Sequence, residues 1–282
     1  MVGYRYDFTR FGHLRRNSER VGPEAAFDVG YALVPEEMTA HRHVAEVWYA
    51  PTEQVTLVAE LPFVQRTITH ERRIGDPLGH SVSGIGDLMV GGLLELLGQA
   101  DRRAHATVLF GLPTGRAAER DEEGSLVYAM QPGSGTFHVR PALTFQERRP
   151  DWSWGAQAGG RLYFGEAGEG FRLSNRLDLG LWAARQLLPW ASASVRLAGD
   201  FRGDVDHRVP DFPLTPAAEP GLTGGQRIDL LLGANLRGTT GGLVGQRLFF
   251  ELGLPIHQRL DGPQLGMSWR GLIGWRWMPG QG

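Results

Sequence analysis

Residues 81–97, "SVSGIGDLMVGGLLELL", admit two readings. Taken in order, they offer a glycine turn followed by an apolar helix. Taken alternately, they split into Gly86, Leu88, Val90, Gly92, Leu94 and Leu96 on one side and Asp87, Met89, Gly91, Leu93 and Glu95 on the other. A helix over 86–97 would set Asp87 and Glu95 among leucines with no partner, and a buried unpaired charge is too costly to keep. The strand reading carries no such conflict, and it repeats.

Period-two alternation returns in twelve segments, spaced at about 23 residues each. Val55, Leu57, Ala59, Leu61 and Phe63 oppose Thr56, Val58 and Glu60. Near the other end, Ile228, Leu230, Leu232, Ala234 and Leu236 oppose Arg227, Asp229, Asn235 and Arg237. Such segments run 9 to 15 residues, whereas strands of a soluble sandwich usually run about 5 or 6. Their polar positions hold arginine with aspartate or glutamate, which suits a polar lumen inside a closed barrel whose even apolar face meets lipid. Closure follows, because an open strand edge in hydrocarbon costs several kcal/mol per unpaired backbone group. Tyr4, Tyr6, Tyr49, Trp152, Trp190, Trp275 and Trp277 fall near segment ends, where interfacial belts place amphipathic rings.

The expected fold is therefore all-β, one transmembrane antiparallel barrel of twelve strands over residues 1–282, with ten as the alternative count. Ten enters because the first segment is poorly apolar and the link at 165–171 is short. Connections alternate between short turns ("APTEQ", "GQADR", "RRPD", "LLPW", "RGTTGG") and longer links at 12–40, 66–82, 114–132, 165–171, 203–223 and 257–264. An even count puts both termini on the short-turn, periplasmic side.

The totals exclude several classes. A net charge of −2 gives no bulk field for nucleic acid. No run reaches 18 apolar residues, so no helix spans a membrane, which leaves spanning strands open. With zero cysteines there is no disulfide, thiolate ligand or cysteine nucleophile. The opening "MVGYRYDFTRFGH" lacks the apolar core of an export leader. The chain is then either not exported or numbered from beyond a removed leader.

Several phrases, taken in order, resemble one family: "YRYDFTRFGH", "HRHVAEVWYAPTEQVTLVAELPFVQRTITH", "SGIGDLMVGG", "GLPTG", "PGSGTFHVRPALTF", "WSWGAQAGGRLYFG", "RLSNRLDLGLWAARQL", "GGQRIDLLLGANL" and "ELGLPIHQRLDGPQLGMSWRGLIGW". The family is the outer-membrane barrel transporters akin to the MetA-pathway of phenol degradation proteins. The resemblance implies a Gram-negative outer membrane location, contact with outer-membrane lipid and the barrel assembly machinery, and a channel-like role toward a small-molecule solute. The chain departs from methionine-rich relatives, since its first two such phrases and "EEMTA" hold only Met38. It also ends in "GWRWMPGQG" and not on a terminal aromatic, so Trp277 is expected to be the last barrel residue.

No catalytic constellation emerges, and no cofactor is expected. Gly-x-Ser-x-Gly is absent, and "SGT" at 134–136 with His138 forms no recognisable triad in sequence. His41 and His43 lie two apart and share a face at the mouth of the second segment, a weak candidate pair for a metal ion and more simply polar loop-edge residues. The inward parity is more informative. It carries Arg161, Arg176, Arg196, Arg227, Arg247 and Arg270 with Glu46, Glu60, Asp87, Glu95, Asp178, Asp229 and Glu251. These groups make either a cross-strand ion-pair network that stiffens the barrel or a basic pathway that concentrates anions. Two functions compete: a mildly anion-favouring channel for small solutes, including small organic compounds, and a non-conducting barrel whose loops bind a metal or partner.

Overall fold

The computed structural model describes residues 1–121, 124–167, 170–207, 214–219 and 221–279. The long strands begin with β1 (Val2–Asn17), β2 (Leu33–Tyr49) and β3 (Val55–Arg72), followed by β4 (Leu78–Ile85), β5 (Leu88–Gly98) and β6 (Arg102–Leu112). After a loop come β7 (Phe137–Arg148), β8 (Trp152–Phe164), β9 (Arg176–Leu188) and β10 (Ala191–Arg202), then β11 (Gly225–Arg237) and β12 (Gln246–Trp277). Apart from β4 and β5, which do not pair with each other, each pairs antiparallel with its sequence neighbours, and β12 pairs with both β11 and β1, so the sheet closes on itself.

Two details set the count. Both β4 and β5 pair with β3, β4 through Phe63↔Ile85 and β5 through Glu60↔Met89, so they form one pass broken at Gly86–Asp87. At 32 residues, β12 is two passes. Its first arm follows β11 and its second follows β1. Gln258 joins the arms, donating from Nε2 to the Met267 carbonyl at 3.0 Å and accepting the Met267 amide at 2.7 Å. The wall thus has twelve passes, an all-β transmembrane-type barrel, with the two-residue strand Glu19–Arg20 added on β1 outside it.

Burial is inverted relative to a soluble core. Leu232 is 63% exposed and Leu230 37%, whereas Asp229 between β11's apolar positions is 1% exposed and Leu231 3%. Lipid is the solvent that makes this arrangement stable: every second side chain faces hydrocarbon while backbone groups bond to neighbouring strands. A groove of about 620 Å³ lined by Tyr6, Phe8, Phe250, Leu252, Trp269 and Ile273 belongs to this outer wall.

Three expected boundaries are corrected. The link at 66–82 shrinks to 73–77, because β3 continues to Arg72 and β4 starts at Leu78. Similarly, β1 reaches Asn17 and β2 starts at Leu33 inside the expected 12–40 link, and 257–264 is a hairpin bend within β12. In these hairpin extensions the outward positions hold Gln65, Thr67 and Thr69, so the outward apolar alternation that marks a spanning strand is missing, and the apolar residues, Ile68 and Val82 among them, face inward. Met267, expected on the lipid face, is 3% exposed. A register shift between Arg10 and Phe11 opposite it turns the strand locally.

At the end remote from the termini the loops pack on the wall and on one another. Leu126 and Met130 lie against Ile68 and Val82. Ala167 and Val205 meet Tyr128 and Leu173, which joins three loops. The short helix Glu24–Phe27 seats Ala26 against Leu14 and Val34.

Candidate functional site: the arginine-lined lumen

The inward positions divide into two regions with different charge chemistry. In the first, β9 to β12, guanidiniums meet carboxylates. Arg227 Nε lies 2.9 Å from Asp229 Oδ1 and Arg270 Nη2 lies 3.2 Å from Oδ2, so one buried carboxylate holds two cations. Arg196 pairs with Glu251, and Arg176 pairs with Asp200. Near the first and last strands, Glu46 receives Arg5 at 3.0 Å and Arg276 at 3.5 Å. The Arg276 guanidinium also stacks over Trp48 at 4.7 Å and Phe249 at 5.0 Å.

The second region is built by β2, β3, β7 and β8. Arg140 crosses the lumen from β7 to Glu60 on β3, Nη2 to Oε1 2.7 Å. Arg161 meets no carboxylate among the described residues, and its contact is the Tyr163 hydroxyl at 3.3 Å. Arg66 donates to the backbone carbonyl of Gln131. Arg42 makes no hydrogen bond or ion pair among the described residues; its side chain is partly buried, Asp7 stands opposite it in register on β1, and the charges of Arg5, Arg161, Asp7 and Arg140 act on it. Sequence reading gathered the arginines from the seventh segment onward and passed over Arg5, Arg42, Arg66 and Arg140. Their inward parity was the available signal.

The remaining candidates are more dispersed. Asp178 sits opposite Asp200 in register and is exposed on the inner face. Glu95 lies opposite His105 near the short-turn end. Arg247 is exposed opposite Arg237 at the same end, away from the paired groups.

Asp87 has a different role. At the break between β4 and β5, its Oδ1 accepts the Gly115 amide at 3.1 Å, and its Oδ2 accepts the Ser134 amide at 2.8 Å and hydroxyl at 2.5 Å. Leu88 N donates to Thr114 Oγ1 at 2.9 Å. A Cβ on Gly115 would sit 2.7 Å from the Gly86 carbonyl carbon, and one on Gly133 would sit 2.6 Å from that of Gly115, so three backbones cross where no side chain fits. The phrases "GIGD", "GLPTG" and "PGSGT" converge in this knot. His138 Nδ1 faces Ser134 Oγ at 3.3 Å and Asp87 Oδ2 at 3.9 Å. Serine and carboxylate meet the same ring nitrogen, so the set lacks the two-sided imidazole relay of a hydrolase triad.

His41 and His43 lie within β2 on the outward face, not at a loop edge. Tyr6 OH contacts His41 Nδ1 at 2.7 Å and Tyr4 OH contacts His43 Nδ1 at 2.6 Å. Among the described residues no group of three or more His, Asp or Glu is placed to hold a metal ion.

No protein-family model and no curated protein matches the chain. Solved structures do match. The chain is similar to the COG4313 outer membrane channel from Pseudomonas putida F1, with a TM-score of 0.70 at 14% identity over 97% of this chain and 93% of that one. It is similar to the NanC porin, with a TM-score of 0.51 at 8% identity over 99% and 100%. The β domain of the Bordetella autotransporter BrkA gives 0.50 at 15% identity over 98% and 99%. At these identities the likeness is one of fold, and that fold is the closed outer-membrane β-barrel.

Proposed function

We propose that the chain forms an outer-membrane channel for small solutes with a mildly anion-favouring lumen. The observation that carries this reading is the set of guanidiniums, Arg42, Arg66 and Arg161, that face the interior without a carboxylate partner among the described residues. Guanidiniums stay charged throughout the physiological range, and a narrow aqueous lumen screens them less than bulk water does. The similarity to proteins described as a channel and a porin supports the role, as does the motif resemblance to the MetA-pathway group. Under this reading the protein is not an enzyme, sits in the Gram-negative outer membrane with both termini periplasmic, is inserted by the barrel assembly machinery, and needs no cofactor.

Planar-bilayer recording under a salt gradient tests it. The expected result is stepwise conductance with a reversal potential displaced toward the anion. Cation selectivity, or no conductance at any voltage, rejects it. The second reading, a non-conducting barrel that binds a partner through its loops, draws on the contacts joining Tyr128, Ala167, Leu173 and Val205 above the wall.

A further inference from the structure

Arg161 stands in a row of like charges. It is in register with Arg176 on β9, and the pairs Val139↔Leu162 and Ala142↔Gly159 place Arg140 opposite it on β7. Like charges directly opposite one another in a sheet are destabilising. The flanking members are relieved, Arg140 by Glu60 and Arg176 by Asp200. Arg161 has only the Tyr163 hydroxyl. From the opposite side β2 presents Arg42, which makes no hydrogen bond or ion pair among the described residues; the charges of Arg5, Arg161 and Arg140 repel it, and Asp7, opposite it in register on β1, attracts it. The nearby carboxylates are already engaged: Glu60 with Arg140, Asp7 and Glu46 with Arg5. A cationic excess therefore remains between β2 and β7–β8, with donors that no group of the described chain accepts.

We propose that Arg42 and Arg161, with Arg140 and the Tyr163 hydroxyl, form a binding site for a small organic carboxylate. The planar guanidinium matches a carboxylate through two parallel N–H donors. Arg42 and Arg161 approach from opposite sides, so each carboxylate oxygen gains a charged donor and the like-charge contact is neutralised. The ring of Tyr163 lies against His138 with centroids 5.2 Å apart, a flat wall beside the charged groups that suits an aryl or short alkyl body. Binding stands on these residues alone; its consequence for transport rests on the channel reading above.

Calorimetric titration of the purified, detergent-solubilised barrel with sodium benzoate tests the site, with benzyl alcohol as the neutral analogue of similar shape. Saturable one-to-one binding of benzoate and none of benzyl alcohol is expected. Arg42→Gln and Arg161→Gln should each weaken benzoate at least tenfold, Arg42→Lys should fall between them and the wild type, and Arg247→Gln should bind as the wild type does. No saturable binding by the wild type, or unchanged affinity in both Arg42→Gln and Arg161→Gln, overturns the proposal. Bilayer recording separates the two readings. A protein that conducts without binding benzoate loses the site and keeps the channel, whereas one that binds benzoate without conducting keeps the site and loses the channel.

Discussion

The two sides of the lumen carry the same residue type with opposite electrical results. On β9 to β12, Asp229, Glu251 and Asp200 quench Arg227, Arg270, Arg196 and Arg176. On β2, β3 and β8, Arg42, Arg66 and Arg161 have no such partner among the described residues. On β9 to β12 the carboxylates hold the mid-wall arginines, while Arg202, Arg237 and Arg247 at the strand ends meet no carboxylate among the described residues. Pairing, not arginine count, decides where an anion would be drawn.

The strongest test of that contrast is Asp229→Asn. Asp229 is 1% exposed and holds two guanidiniums, and breaking a buried ion pair from one side costs about 3 kcal/mol. Reversible urea unfolding in lipid vesicles should show that loss. A change below about 0.5 kcal/mol would mean that this side is not structural. Glu60→Gln is next. It leaves Arg140 hydrogen-bonded but uncompensated, so it should cost about 1.5 kcal/mol and shift reversal potential further toward the anion; an unchanged potential would separate Arg140 from the pathway.

Arg42→Gln should barely move stability, within about 0.5 kcal/mol, because it removes the repulsion of Arg5, Arg161 and Arg140 together with the attraction of Asp7 and breaks no hydrogen bond or ion pair among the described residues. Clear destabilisation in the same urea assay would show that Arg42 is structural after all. The smallest effect lies outside both regions. Tyr31, in the loop at 18–32, donates to Glu219 at 3.4 Å, and burial, then the Glu219 charge, hold its phenol above its ordinary value. The raised value means that this stability is complete below the ordinary tyrosine range near pH 10 and is lost as pH rises through the folded-state value. Amide exchange of the 18–32 loop should speed up over that window in the wild type and respond less in Tyr31→Phe. Equal responses would remove Tyr31 from the account.

Parity was legible in the sequence because hydrocarbon forces an apolar side chain at every second position, as at Leu230 and Leu232. Where strands leave that band the constraint ends, which is why Gln65 to Arg72 read as a link. Ion pairing was less legible. Arg140 and Glu60 are 80 residues apart on strands that do not adjoin, so their contact depends on how the whole barrel closes. Asp87 looked like another lumenal acid because its parity matched. Its actual work depends on a strand break that alternation alone does not reveal.

The glycine crossing at Asp87 bears on how this barrel can diversify. Gly133 N donates to Arg116 O at 2.8 Å, and Asp87 pins Gly115 and Ser134 beside it, so the stretch from 116 to 133 is closed at its neck by main-chain contacts. A loop anchored in this way behaves as an exchangeable cassette. Change is then confined to positions outside its own anchors, Leu126 and Met130 on the wall and Tyr128 on the neighbouring loops, while the crossing keeps the registration of the staves it joins.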